Sequence, residues 1–354
     1  MSLRVGMLAR CEDRGLGIQT WEWYRHIEPD RTLLVEMGDR ARNFRQSPER
    51  YPDATRVVLG GDDRLDEATV RAWLRGLDVV YTAETFYDWR IVEWANDLGV
   101  ATVCHVNPEF YVHRVRPDLT APTRWWNPTS WRMGTLPKGA RHVPVPIATD
   151  RWPDARDRIV DRVAKGDRIR FLHVVGHPAA ADRNGTRLFL SAVRRTTAAF
   201  DVGLSTQSGR LPAMRWPKAV RWSTTTDSVD NYWRLYDDAD VLVIPRRYGG
   251  LCLPALEAMG AGLAVVMPAV SPQVDDWPPV RTVPTTARGS IDTPAGRVPL
   301  HDVAVGALTS LLDEWAQDQP GTRAEGLRAR LWAEGRSWDR LRPEIVGALR
   351  ESTR

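Results

Sequence analysis

The stretch Val241–Pro268, VLVIPRRYGGLCLPALEAMGAGLAVVMP, decides how this chain is read. Val241–Ile244 is apolar without alternation, the pattern of a strand buried on both faces of a parallel sheet. Pro245 ends it, and Gly249 and Gly250 permit a tight turn or a close approach of backbone to another group. A helix is expected to open around Leu256-Glu257-Ala258-Met259, and Leu263–Pro268 reads as a second buried strand. A glycine loop at a strand-to-helix handover points free backbone N–H groups outward, which suits an anion or hydroxyl oxygens. Glu257, placed by this reading in the first helical turn, equally complements the helix dipole, so the stretch alone leaves packing and binding both open.

Working outward, the same grammar repeats. LRVGML, RTLLVEM, TRVVLGG, DVVYTAE and VATVCHV are strand-like, separated by the helical patterns IQTWEWYRHI, LDEATVRAWLRGL and YDWRIVEWANDLG. After residue 150 RIRFLHVVG, DVGLSTQ, VRWSTT, DVLVIP and LAVVMP alternate with GTRLFLSAVRRTTAAF, SVDNYWRLYDDA and LPALEAMGAG, and the last 50 or so residues read as helical. Alternation of this kind predicts an α/β protein with two doubly wound, Rossmann-like domains, ligands being expected beyond the carboxyl ends of the strands in a cleft. The stretch from His105 to Ala155, rich in proline and tryptophan, has no clear periodicity and is expected to be irregular. Pro144 and Pro146 mark an extended crossing, giving domains 1–148 and 149–335, with 336–354 a terminal helix returning toward the first.

Composition narrows the class. At 354 residues, two domains are natural, and 43% hydrophobic with 27% charged residues is ordinary for a folded protein. No run of apolar residues is long enough to span a membrane, and MSLRVGMLAR has too short an apolar core for a secretory leader. Three separated cysteines argue for reduced thiols, a cytoplasmic location and no zinc site. The net charge of +4 is carried almost wholly by arginine, the outcome of a GC-rich coding sequence or of an anionic ligand. Sixteen tryptophans exceed what such cores need, so some are expected on surfaces that bind rings of sugars or bases.

The central stretch resembles the donor-binding signature of GT-B glycosyltransferases, especially retaining family 4 (glycosyl transferases group 1). Gly250, Leu253, Pro254, Leu256, Glu257, Ala258, Met259 and Gly262 fall on matching positions. YWRLYDDADVLVIP, RFLHVVGHPAAADRNGTRLFLSAVRR, RHVPVPIATDRWP and RSWDRLRPEI resemble further family segments in the expected order, over roughly residues 140–345. The resemblance implies that Glu257 holds the ribose hydroxyls of a nucleotide-diphosphate sugar and that Arg183 grips its diphosphate. Donor contacts are implied for Gly15, Gly17, Gly176, His177, Gly249, Gly250, Leu251, Cys252 and Leu253. His105 matches a cleft histidine near the reacting sugar, although a packing histidine reads as well there, and the catalytic set is His105, Arg183 and Glu257. Two departures stand out: His177 replaces the usual arginine, and Gly249 stands where the family has a first glutamate. Trp125, Trp126 and Trp131 are acceptor-side candidates.

The implied reaction is sugar transfer to an acceptor hydroxyl with retention, using no cofactor beyond the donor and no metal. Asp62-Asp63 and Asp237-Asp238-Ala239-Asp240 are not placed like metal-binding carboxylates. The acceptor stays open among glycan, protein, small molecule and a hydroxymethylated DNA base, the last needing Arg114, Arg116, Arg124 and Arg132 along one face. A non-catalytic nucleotide-sugar binding protein and a GT-B sugar-nucleotide epimerase are the alternatives.

Overall fold

The computed structural model describes residues 3–38, 44–176, 182–207, 211, 214–226 and 231–354. The chain divides into two compact units: Met1–Val145 with Thr293–Gly296 and Leu341–Arg354, and Pro146–Asp292 with Arg297–Arg340.

The first unit carries β1 (Val5–Ala9), α1 (Gly15–Ile27), β2 (Arg31–Glu36), β3 (Thr55–Val58), α2 (Glu67–Leu74), β4 (Val79–Ala83), α3 (Arg90–Asp97), β5 (Ala101–His105), β6 (Arg124–Asn127) and β7 (Arg141–His142). Its seven strands lie in the order β3-β2-β1-β4-β5-β6-β7, every pairing parallel. Local chemistry sets the element ends: Asp66 caps α2 by accepting from the Thr69 N–H at 2.8 Å. Leu8, Leu33, Val80, Trp73, Phe86 and Trp94 are among the core side chains.

The segment expected to be irregular supplies the last two strands. Four residues, Arg124–Asn127, and then only two, Arg141–His142, pair onto the edge of the sheet. Runs this short carry too few alternations to show a period. They become strands because β5 offers an open edge.

The second unit comprises α4 (Ala155–Lys165), β8 (Arg170–Gly176), α5 (Thr186–Val193), β9 (Asp201–Thr206), β10 (Arg221–Thr226), β11 (Val241–Val243), α6 (Leu253–Gly260), β12 (Ala264–Pro268), α7 (Gln273–Asp276), β13 (Arg281–Val283), β14 (Thr285–Thr293), β15 (Gly296–Val303), α8 (Val305–Gln317) and α9 (Gln319–Glu334), while α10 (Trp338–Ser352) belongs from Leu341 onward to the first unit. Its sheet runs β10-β9-β8-β11-β12-β13, again parallel, with β14 and β15 forming a separate pair. Renumbered from the first strand of each unit, both sheets share the 3-2-1-4-5-6 order of the doubly wound fold. The helix expected over Ser228–Ala239 is, among the described residues, a 3-10 turn at Tyr232–Tyr236.

Asp240, just before β11, anchors the amino end of the second sheet. It is 7% exposed and accepts from the Arg170 N–H at 2.9 Å, from Arg323 of α9 at 3.1 Å and from Arg162 of α4 at 3.2 Å. Asp237 accepts from Arg158 of α4 at 2.7 Å. These aspartates tie helices to the sheet through guanidinium groups. At Asp240, where Arg323 is buried with it, removing one partner leaves buried charge uncompensated, at a cost of roughly 3–5 kcal/mol. Asp240→Ala is therefore expected to lower the unfolding free energy of the second unit by an amount of that order, read as a lower urea midpoint, and a midpoint within error of wild type would refute the anchoring role.

Candidate functional site

In a doubly wound sheet the crevice for ligands opens where strand order reverses, outside the carboxyl ends. In the second unit that point lies between β8 and β11. His173, fully buried in β8, bridges it. One ring nitrogen, Nδ1, lies 2.7 Å from the Val243 carbonyl of β11, and Nε2 lies 2.9 Å from Thr186 Oγ1 at the start of α5. Only a donor can face a carbonyl, so Nδ1 carries the proton and Nε2 accepts from Thr186. Burial pushes the pKa of this ring down to about 4, and it stays neutral.

Next to this bridge two loops touch. Gly185 has φ +71°, and a Cβ there would lie 2.1 Å from the Pro245 carbonyl oxygen. No side chain fits that contact. Asp182 accepts from the N–H groups of Thr186 at 2.8 Å and Arg187 at 3.0 Å, and Asn184 donates to the Val174 carbonyl at 2.9 Å. The DRNG turn is thus fixed at both ends. Arg183 is half-buried, its Cζ 5.0 Å from the Tyr248 ring centre and its carbonyl accepting from the Arg247 N–H at 2.8 Å. Gly176 closes β8 in register with Thr206, while His177 lies outside the described residues.

The glycine loop departs from expectation in two ways. The helix opens at Leu253, three residues early, with Pro254 in its first turn, where a missing N–H is harmless. Glu257 therefore sits in the second turn and does not complement the dipole; no acidic residue stands in the first. Its role comes from a neighbour. The hydroxyl of buried Tyr236 donates to Glu257 Oε2, and burial, with the carboxylate beside it, holds that hydroxyl well above its ordinary pKa. Glu257 is half-buried. Gly250, Leu251 and Cys252 are buried in the loop, and Leu253 is half-buried at the helix start.

Gly249 has φ +107°, a backbone conformation that favours glycine. A glutamate at this position would be strained, so its absence belongs to the shape of the loop. The residues before it are committed elsewhere: Arg247 Nε donates to Asp302 of β15 at 2.7 Å, and Arg246 donates to the Tyr248 carbonyl at 3.0 Å. Tyr236 and His173 were missed from sequence. Neither lies in the quoted stretch, and an apolar run such as FLHVVG marks its histidine only as buried.

In the first unit several expectations change. Gly15 and Gly17 lie inside α1, not before it, and a Cβ on Gly17 would meet the Glu12 carbonyl at 2.0 Å, so this glycine lets the helix pack on its own loop. His105 is 1% exposed, with Nδ1 3.1 Å from the Tyr81 hydroxyl and Nε2 2.8 Å from the Val143 carbonyl. Both nitrogens are engaged, and burial lowers its pKa to about 3, which is the geometry of a packing histidine. Trp125 and Trp126 point to opposite faces of β6 and are buried there. Trp125 packs against Trp89, Tyr111 and His113, and Trp126 against Trp23, Tyr81 and His105. Trp131 is half-buried beneath the Arg132 guanidinium. Of the sixteen tryptophans nine are buried, six are half-buried and only Trp222 is exposed, so most of them serve packing. Arg116 is paired with Asp118 at 2.7 Å and Arg124 donates to the Thr123 carbonyl at 3.0 Å, so with Arg132 three of the four arginines proposed for a nucleic-acid face are engaged locally.

Residues 169–277, which hold every element of the second-unit site described so far except β15, match the family model described as Glycosyl transferases group 1. The two doubly wound units make this a GT-B fold. Similar solved structures include HepE of Anabaena in complex with UDP-glucose (TM-score 0.68, 12% identity, covering 99% of this chain and 100% of that one). Sucrose-phosphate synthase of Thermosynechococcus elongatus (TM-score 0.64, 12%, 99% of each chain) and MurG of Acinetobacter baumannii (0.54, 12%, 98% and 99%) share it too. No curated protein sequence matches the chain.

Two outcomes follow from this geometry. Gly185→Ala is expected to cost at least about 2 kcal/mol, since it combines a left-handed backbone with a clash against backbone; calorimetric melting checks it, and an unchanged midpoint would remove the contact from consideration. His173 is held neutral, with its folded pKa below the unfolded value of 6.5. The unfolded state therefore binds the proton more readily, and stability is complete above pH 6.5 and falls as pH drops toward 4. The loss approaches about 1.4 kcal/mol per pH unit inside that window. Urea denaturation of wild type and His173→Gln between pH 7 and 4.5 should show a shallower slope in the variant.

Proposed function

We propose that the protein is a glycosyltransferase that takes a sugar from a nucleotide-diphosphate donor bound at the β8/β11 switch point of the second unit. The observation that carries this reading is the Tyr236–Glu257 pair, its carboxylate on the helix that follows the glycine loop and its tyrosine on the 3-10 turn before β11, both inside the segment matching the glycosyl transferases group 1 model. A carboxylate whose one oxygen is oriented by a buried tyrosine is suited to accept from the vicinal hydroxyls of a ribose. HepE has been solved with UDP-glucose and with UDP, which makes uridine the first base to test.

In this reading the bond from the anomeric carbon to the diphosphate oxygen breaks, and charge grows on the leaving phosphate. Arg183 and the backbone at Gly250 and Leu253 are the groups assigned to that charge, and the reaction is taken to run without a metal. The acceptor hydroxyl bonds to the anomeric carbon on the face the phosphate leaves, and its proton passes to the phosphate, giving retention. No cofactor beyond the donor takes part.

A second reading, a nucleotide-sugar binding protein without turnover, is favoured by one observation, the glycine-only backbone at Gly249 where a sugar-contacting carboxylate is lacking. Release of nucleotide diphosphate from a panel of donors, with and without acceptors, separates the two.

UDP is expected to raise the melting temperature of the wild type. Glu257→Ala should abolish that rise, and Tyr236→Phe should weaken UDP binding about tenfold, the worth of one hydrogen bond to a charged group. A Glu257→Ala variant that UDP stabilises as well as wild type would sink the assignment.

A further inference from the structure

The second sheet ends on β10, which among the described residues pairs with β9 alone. Thr224 is half-buried and the other residues of Arg221–Thr226 are exposed, so both faces of this strand lie open. The two faces differ in chemistry. On one, Arg221 donates to both oxygens of Asp201 at 2.8 Å, and Ser223 accepts from Arg170 at 3.0 Å, so the polar groups there are matched within the sheet. On the other stands Trp222. It pairs in register with Val202, which pairs with Phe171, and partners in a pleated sheet share a face. Val202 and Phe171 are buried in the core, and Trp222 continues their row beyond it, 53% exposed.

This indole is seated on protein. Trp216, half-buried against the same core, stacks on it with ring centres 4.9 Å apart and planes 9° from parallel. One face of the Trp222 ring is thereby held, and its exposure leaves the opposite face to solvent as a flat, oriented surface. The strand edge beside it carries hydrogen-bonding groups. The Arg221 N–H donates to the Phe200 carbonyl ahead of β9. Backbone groups alternate in direction along a strand, so those of Trp222, Thr224 and Thr226 point away from β9, toward the unpaired edge. The size of this surface limits its occupant. A tryptophan side chain can bury roughly 150–250 Å², so half exposed it offers on the order of 100 Å². A stable protein interface takes about 800 Å² from each partner, and among the described residues no other exposed large apolar side chain lies between Leu211 and Thr226. One ring fits here.

A pyranose has the matching chemistry. Its C–H groups present the positive ends of their dipoles to the negative face of an indole, and its rim of hydroxyls both donates and accepts, as the strand edge does. A nucleotide suits the surface less, because its phosphate calls for a cation and Arg221 is bound to Asp201. We infer that Trp222 and the outer edge of β10 form a glycan-binding site, two strands removed from β8, that takes a neutral pyranose with its C–H face on the indole. The site stands on the strand and the indole pair alone; that its occupant is an acceptor or product chain rests on the glycosyl-transfer reading above.

Titrating cellotriose and maltotriose, two neutral gluco-oligosaccharides, into isotope-labelled protein without nucleotide tests the site through the tryptophan indole N–H signals. At least one trisaccharide should move the Trp222 signal, which is assigned by its loss in Trp222→Phe. Affinity should fall tenfold or more in Trp222→Ala and by less in Trp222→Phe, which keeps a smaller ring on Trp216. The wild-type shift and the Phe variant carry the test if Trp222→Ala does not fold. Undiminished binding by the variants overturns the site, as does a Trp222 signal that neither sugar moves. Uridine monophosphate moving that signal where the sugars do not overturns the ligand class. A dimer that Trp222→Ala dissolves, with no sugar bound, gives the surface to a second copy and overturns the proposal too. Sugar binding through Trp222 in a protein that ignores UDP leaves this site standing and removes the donor assignment.

Discussion

One imidazole holds the second unit's switch point together. His173 joins β8 to β11 through Val243 and to α5 through Thr186, and beside it Gly185 rests on the Pro245 carbonyl. The DRNG and RRYGG loops, proposed above to receive the donor, both depart from this junction. Their separation is set by a neutral ring that donates through Nδ1 and accepts from Thr186 through Nε2; burial disfavours the imidazolium, in which Nε2 would donate instead. The arrangement places Arg183, Tyr248 and the glycine loop relative to one another before any ligand arrives.

The carboxylate on α6 depends on a different support. Glu257 lies too far into the helix for the dipole to matter, and its orientation is set by Tyr236, twenty-one residues earlier in sequence. Tyr236 in turn packs edge-on to Trp152, whose indole N–H is held by the Trp233 carbonyl at 3.0 Å. The Glu257 carboxylate is held here by a tyrosine on a 3-10 turn and a tryptophan ahead of α4. The absent first carboxylate has a comparable explanation in backbone shape, since a φ of +107° at position 249 suits glycine and strains other residues.

Legibility differed sharply between kinds of feature. The alternation of buried strands and amphipathic helices was readable because continuous apolar runs and 3.6-residue periods are properties of consecutive residues. The switch-point loop was readable for the same reason, as was Glu257 as the carboxylate to watch. The helix α6 opens at Leu253, the first residue of the pattern LPALEAMGAG, so the carboxylate lies a turn deeper than a start at Leu256 would put it. The edge strands β6 and β7 were unreadable, because strands of four and two residues exist only through their neighbour. The tryptophans misled in the other direction: abundance suggested exposure, whereas Trp125 and Trp126 fill the two faces of one strand.

By itself, then, the sequence determined two doubly wound units, a glycine loop at a strand-to-helix handover, and a single glutamate beyond it. These are local matters of periodicity, propensity and spacing. Only the tertiary structure decided that Tyr236 orients Glu257, that His173 bridges two strands, and that His105 is a packing residue. Each of these depends on groups about 13 to 70 residues apart whose hydrogen-bonding needs are met by the packing of strands that no local pattern encodes.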